Sequence, residues 1–154
     1  MGNVDISGLK EFTQKLEKQL SPVQMDEFIG SCAKELAARV LRGAIKRTPV
    51  GQYPSESGKV GGTLRRGWKV SEVKSFGYDH VIEVFNPVEY APFVEYGHRQ
   101  EPGRYVPAIG KRLKASWVEG HFMMTQSEKE VQVIAPRLVE ARFKRKLGEI
   151  FNGQ

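Results

Sequence analysis

Apolar positions along this chain follow a helical period at both ends and a mixture of alternation and interruption between them. Leu9, Phe12, Leu16 and Leu20 recur at three- and four-residue spacing, which predicts a short amphipathic helix over Ser7 to Leu20. The stretch Ser21-Pro22-Val23-Gln24 then reads as a helix start: Ser21 as N-cap, Pro22 at the first helical position, and Gln24 at the capping-box position. From there Met25, Phe28, Ile29, Cys32, Leu36 and Val40, with Ala33, Ala37, Leu41, Ala44 and Ile45 on the adjoining ridge, draw a wide apolar stripe. The stripe predicts a long helix from about Pro22 to Arg47, ending ahead of Pro49. Near the other end, Val131, Ile134, Leu138, Val139, Phe143, Leu147, Ile150 and Phe151 repeat the helical period. Ser127 and Glu130 supply a capping box for that second long helix, and Pro136 predicts a kink or a restart within it.

The middle of the chain has a different rhythm. Leu64, Trp68 and Val70 against Thr63, Arg65 and Lys69 suggest an alternating strand, and His80 to Phe85 a second one. Gly77 and Asp79 provide turn chemistry between them, so the pair predicts an antiparallel hairpin, with a basic solvent face. Asn86-Pro87 then breaks the strand. In the following segment Asn86 can cap and Glu89 sits at the box position, while Pro92 argues for two short helical turns closed by a left-handed Gly97. Glycines and prolines between Arg99 and Val118 exclude a helix there and predict a long projecting hairpin, Arg99 to Val106 against Lys111 to Val118. The expected class is α+β: long N-terminal and C-terminal helices packed on a small antiparallel β-sheet, with a projecting β-hairpin or long loop.

Length and composition change this picture little. At 154 residues the chain suits a single domain over 1–154, and a domain of this size buries about 68 to 70% of its unfolded surface. With 40% hydrophobic and 27% charged residues the composition is that of an ordinary globular protein. No apolar run approaches the roughly 18 to 20 residues of a membrane span, and Met1 to Phe12 lacks the basic start and apolar stretch of a signal peptide. These features predict synthesis and retention in the cytosol. The single cysteine, Cys32, excludes an internal disulfide and a Cys-rich zinc site, and its place in the apolar stripe marks it as a small buried hydrophobe. The formal charge of +6 attracts anions without specifying a fold. The positive charge concentrates in Lys59, Arg65, Arg66, Lys69 and Lys74, and again in Arg137, Arg142, Lys144, Arg145 and Lys146.

Catalytic and ligand-binding patterns are weak. Gly51 to Trp68 contains Ser57-Gly58-Lys59, but Val60 stands where a phosphate-binding loop needs Ser or Thr, and Tyr53 where it needs its first glycine. His80, His98 and His121 show no metal-ligand spacing. Glu95, His98, Glu101 and Arg104 are close in sequence, yet the surrounding glycines and prolines favour a polar surface cluster over an acid-base site. Tyr90, Phe93 and Tyr96 could stack on bases, but the three-residue spacing of Phe93 and Tyr96 favours packing against a core. The expectation is a protein without enzymatic activity, cofactor or metal.

One set of segments carries a family resemblance. Pro49-Val50 at the end of the long helix, then Gly62, Leu64 and Arg65, then Tyr90, Ala91, Phe93, Val94, Glu95, Tyr96 and Gly97 together resemble the neck or tail-completion proteins of long-tailed double-stranded DNA bacteriophages. This group includes head-tail joining and minor tail components. The order of these segments spans most of the chain. It departs from the family pattern in the inserted "GQYPSESGKV" and in the long stretch from His98 to Gly120. The resemblance implies a structural virion protein of a phage or prophage, made in the bacterial cytoplasm and assembling as a homo-oligomeric ring, with a hexamer as one candidate. Implied partners are other head-connector or tail proteins, with non-specific contact to passing DNA. In such a ring Arg65, Arg66 and Lys69 are candidates to face the channel, and Arg99, Arg104, Tyr105 and Trp117 to form the subunit interface. The inserted glycine-rich loop would face a neighbour or the channel. The alternative reading is a small non-specific nucleic-acid-binding protein that uses its basic faces.

Overall fold

In the computed structural model of the chain, the described residues are Gln14, Glu17, Lys18 and 20–152 apart from Tyr78. The helix expected over Ser7 to Leu20 falls outside them except at these few positions. The remainder is α+β, with helices at both ends of the described chain and two short-stranded antiparallel hairpins between.

Helix α1, Pro22–Arg47, begins as the sequence implies. The Ser21 hydroxyl accepts the Gln24 N–H at 3.4 Å, and Pro22 occupies the first turn. At the other end Thr48 leaves helical conformation, as a residue before proline should, while its N–H still reaches the Ala44 carbonyl at 3.0 Å. The last helix, α4, Met123–Asn152, runs antiparallel to α1. At one end of the pair the Arg47 guanidinium donates to Ser127 Oγ at 3.1 Å and to Glu130; at the other Arg142 donates to Ser31 O, Ser31 Oγ and Glu35, and Phe28 packs on Phe143 with ring centroids 5.8 Å apart. Gly43 lets the helices meet closely, because a Cβ there would lie 2.8 Å from Ser127 Oγ.

The expected start of α4 is corrected. It begins at Met123, four residues ahead of the Ser127 box, and it runs through Pro136 without the restart that the proline allowed. Ser127 is buried inside the helix, donating to the Met123 carbonyl at 2.6 Å, and so cannot be its cap.

Between the helices, residues 63–66 are not strand. Gly62, with φ +95°, turns the backbone into a single helical turn, α2, Thr63–Arg66, and Gly67 N–H closes it on Thr63 and Leu64. Alternation at Leu64, Trp68 and Val70 misled because Leu64 reaches the core from this turn, while only Lys69–Val70, β1, are extended. Strands β2, Lys74–Phe76, β3, Asp79–Val81, and β4, Val84–Phe85, complete the first hairpin, with β1 paired to β4 and β2 to β3. Ser71 to Val73 oppose only Ile82 and Glu83, so the ladder slips by one residue at a bulge. The Ser71 side chain covers the slip by accepting the Glu83 N–H at 2.9 Å. This hairpin is not basic: Lys69 and Lys74 stand against Glu72, Asp79 and Glu83.

After the Asn86-Pro87 break comes one short helix, α3, Ala91–Tyr96. Pro92 is compatible with it because it lies in the first turn, where a missing N–H is no loss. Asn86 organises the approach: its carbonyl oxygen accepts the Val88 N–H and its amide donates to the Leu64 carbonyl at 2.7 Å. Gly97 has positive φ, as expected, but with ψ 173° it is extended and starts a strand.

That strand opens the second hairpin. β5, Gly97–Arg99, pairs with β8, Trp117–Glu119, and further out β6, Tyr105–Val106, pairs with β7, Lys111–Arg112. Here too the two ladders differ by one residue in register, with Glu101 to Gly103 opposite Lys114 and Ala115. The projecting hairpin predicted from the breakers is therefore present, rooted two residues earlier than expected.

The tightest packing lies where these parts converge. Leu64, Ala91 and Met123 are buried together, with Trp68, Val88 and Val94 packed around them. Much of the remaining α1 stripe is only half-buried, including Met25, Phe28, Leu36 and Val40.

Candidate assembly interface

Part of the sequence signature, namely Leu64, Arg65, Ala91, Val94 and Glu95, packs into a joint between the helices. Thr48, fully buried, is its hub. Its hydroxyl donates to the Ala44 carbonyl at 2.6 Å and accepts the Trp68 indole N–H at 2.7 Å. Its carbonyl accepts both Nε and Nη2 of Arg65, at 3.0 and 2.6 Å. The end of α1 is thereby tied to α2 and to the start of the first hairpin.

A second tie runs from α3 to α4. Glu95 is 6% exposed, an unusual burial for a carboxylate unless it is fully partnered. Its oxygens accept the Met124 N–H at 3.0 Å, the Thr125 N–H at 2.9 Å and the Thr125 hydroxyl at 2.7 Å. The carboxylate thus satisfies orphan donors of the first turn of α4 and places negative charge at the positive end of its dipole. The backbone supports this, since the His121 and Phe122 N–H groups donate to the Val94 and Glu95 carbonyls. Gly97 and Gly120 allow the approach: a Cβ on Gly97 would lie 2.3 Å from the Val118 carbonyl oxygen, and one on Gly120 2.3 Å from that of Glu95. Sequence reasoning saw Glu95 as part of a signature but missed its use as a cap, because the helix it caps begins far along the chain.

With Ala91, Val94 and Glu95 turned inward, α3 presents Pro92, Phe93 and Tyr96 to solvent. Phe93 is 57% and Tyr96 62% exposed, which overturns the expectation that their spacing buries them against the core. The spacing does place them on one face, but the inward face belongs to the smaller residues. Tyr90 is also exposed at the start of the helix, and the Phe93 ring meets His98 edge-on at 5.9 Å. Tyr90, Phe93 and Tyr96 thus leave an exposed aromatic face on this short helix.

Beside this helix the second hairpin brings Arg99, Arg104 and Trp117 together with Gln100, Glu101 and Ser116 around an open groove of about 740 Å³. Three of the four residues expected at a subunit interface are thus assembled; Tyr105 is exposed further along the hairpin. The Trp117 ring lies over Gly97, where a Cβ would approach it to 3.0 Å. Of the three expected channel residues, Arg65 is held by Thr48, Arg66 donates to the Gly61 carbonyl from an exposed position, and Lys69 is exposed. The polar cluster read from sequence disperses: Glu95 is the buried cap, His98 sits against Phe93, and Glu101 and Arg104 line the groove. Among the described residues no group of three or more His, Cys, Asp or Glu side chains could hold a metal ion. The glycine-rich loop holds a single 3-10 turn, Ser55–Ser57, and its ends touch, because a Cβ on Gly61 would collide with the Gly51 carbonyl. It folds back on itself like an Ω-loop.

The hydrogen bond from Arg39, with the charge of Arg142 nearby, holds the Glu35 carboxyl below its ordinary value. The cluster joins α1 to α4 and lies away from the aromatic helix.

These features define a joint between the helices with an exposed aromatic face beside it. The family model HK97-gp10-like, described as "Bacteriophage HK97-gp10, putative tail-component", matches residues 10–97. The match covers more than half of the chain, and the chain belongs to this phage tail-component family. Searches of curated proteins and of solved structures find no match. The matched region contains α1, the Thr48 hub, the first hairpin and α3, and it stops at Gly97, where the second hairpin begins. No helix among the described residues is long and apolar enough to cross a membrane.

Proposed function

We propose that this chain is a structural component of the phage virion that joins head to tail or completes the tail by assembling as a closed ring. It works by contact and carries out no reaction. The observation that supports this reading is the exposed aromatic face of α3, Phe93 and Tyr96 above all, held rigidly by the buried cap of Glu95. A surface helix with its small residues inward and its aromatics outward is built to be covered. Head-to-tail contact between the α3 and Trp117 surface of one copy and a different face of the next closes a ring when the rotation permits.

The test is solution mass by size-exclusion chromatography with light scattering, with negative-stain microscopy of any large species. The expected result is a ring for the native chain, formed alone or with an added connector or tail-tube protein. A Phe93→Ser, Tyr96→Ser double variant is expected to remain folded and to lose assembly. A variant that assembles like the native chain would remove this surface from the interface.

The alternative reading, non-specific binding to nucleic acid, is favoured by a separate observation: among the described residues the cations of the second hairpin have no carboxylate partner. In a ring the two readings combine, since an assembly that passes DNA also meets its phosphates.

A further inference from the structure

The charge of this molecule is unevenly distributed between its two hairpins. The first carries two lysines and three acids. The second carries Arg99, Arg104, Lys111, Arg112 and Lys114 against Glu101 and Glu119. All five of these cations are exposed, and among the described residues none has a carboxylate within ion-pair distance. Elsewhere the described cations are mixed: Arg39 and Arg142 share Glu35, Arg47 meets Glu130, and Lys144 and Arg145 meet Glu140 and Glu149, while Lys46, Lys69 and Arg137 among others have no ion pair, so the second hairpin stands out by gathering five unpaired cations on one ribbon. Arg112 makes one bond within the hairpin, to the Gly103 carbonyl at 2.7 Å, which fixes its direction and leaves its other donors outward.

We propose that the outer part of the second hairpin, through Arg104, Lys111, Arg112 and Lys114, binds the phosphate backbone of double-stranded DNA without reading its sequence. The geometry suits a duplex. Gly97–Arg99 and Tyr105–Val106 are extended with a turn at Pro102-Gly103 between them, so the ribbon carries its outer ladder, Tyr105–Val106 with Lys111–Arg112, beyond its root. A two-stranded ribbon has the width that the major groove admits. Because strand neighbours alternate, Lys111 and Arg112 leave β7 on opposite sides, and a duplex approaching either face meets a cation. Tyr105, paired with Arg112, adds an exposed aromatic edge.

The same surface is poorly suited to a protein partner. Interface centres are depleted of lysine and acidic residues, whereas this ribbon has two lysines and two arginines at its outer end and no large apolar side chain exposed there except Tyr105. The aromatic face of α3 already supplies the protein-contact chemistry. The hairpin also shifts the DNA contact away from Arg65, which is occupied by Thr48.

The biological setting rests on the reading of the chain as part of a DNA-passing assembly, but the contact is testable on purified protein whatever its oligomeric state. Anisotropy of a fluorescein-labelled duplex of mixed sequence is measured at about 50 mM and about 200 mM salt, where a protein held by four phosphates loses about a hundredfold in affinity. The triple variant Arg104→Gln, Lys111→Gln, Lys114→Gln is expected to bind at least tenfold more weakly at the lower salt. Its salt slope should fall by about 2.7, at about 0.9 for each phosphate that is no longer neutralised. A control, Lys129→Gln, Arg137→Gln, Lys144→Gln, removes the same charge from α4 and is expected to bind as the native chain. Absence of binding by the native chain overturns the proposal, as does an equal loss in both triple variants, which would reduce the effect to net charge. Competition by polyglutamate as effective as by unlabelled duplex also overturns it, in favour of an acidic protein surface. Ring formation unchanged in the hairpin variant, with DNA affinity abolished, separates DNA binding from subunit assembly.

Discussion

The carboxylate of Glu95 accepts the backbone N–H of Thr125 at 2.9 Å and its hydroxyl at 2.7 Å, so that a residue of one short helix caps another, much longer one. Two backbone donors and a hydroxyl depend on this one buried side chain. Truncating it leaves them desolvated and unpartnered, at about 1 to 3 kcal/mol for such groups in addition to the missing cap. Glu95→Ala is therefore expected to destabilise the chain by about 3 kcal/mol in urea unfolding, and Glu95→Gln by less, because the amide oxygen keeps one acceptor. A loss below about 0.5 kcal/mol for the alanine variant, the range of neutral surface changes, would show that the cap is dispensable.

Thr48 and Trp68 are coupled through a single hydroxyl, which donates to Ala44 and accepts from the indole. Thr48→Val keeps the shape but leaves the indole N–H without its partner, with an expected cost of about 1 to 3 kcal/mol. Trp68→Phe removes the other half of the same bond. The double variant should cost less than the sum of the two, since contacting residues couple by about 0.5 to 3 kcal/mol. Strict additivity in the double-mutant cycle would mean that the hydrogen bond contributes nothing.

Glycines separate close approach from open space. Gly97→Ala places a methyl 2.3 Å from a backbone oxygen in a conformation with φ +83°, and Gly120→Ala creates a comparable clash with Glu95. Each is expected to cost more than about 3 kcal/mol and to disconnect α3 from the root of the second hairpin. Gly148 lies inside α4 with nothing near its would-be Cβ. Gly148→Ala should therefore stabilise the chain by up to about 1 kcal/mol. Thermal unfolding of the three variants reads both signs at once, and equal effects would refute the steric account.

The elements with a long, single-sided apolar period were legible in the sequence, as α1 shows from its Ser21 cap to its Thr48 end. The second hairpin was legible through its breakers. The failures share a physical cause, namely groups supplied from a distance. The start of α4 was misplaced because its cap is Glu95 on another helix, so the local Ser127 and Glu130 pattern looked like the start. The strand read over Leu64 to Val70 shrank because Gly62 and the Arg65 latch on Thr48 favour a helical turn whose one apolar residue points inward. Phe93 and Tyr96 were assigned to the right face and the wrong environment. Periodicity shows which residues share a side of a helix, but not whether that side meets the chain's own core or another molecule.

The Glu35 cluster predicts how stability depends on pH. Hydrogen bonding from Arg39 and the charge of Arg142 lower the Glu35 carboxyl below its ordinary value of 4.5. A carboxylate with a depressed folded-state value favours the native state above its unfolded value, and that contribution disappears as the pH falls through the folded value. The difference in unfolding temperature between the native chain and Glu35→Gln is thus expected to be constant from neutral pH down to about 5 and to shrink below about 4.5. Salt should reduce it only in part, since Arg142 also donates to Ser31 O at 3.1 Å and keeps the guanidinium in place. A difference that persists unchanged into acid would assign the effect of the substitution to packing between α1 and α4, and remove the charge from the account.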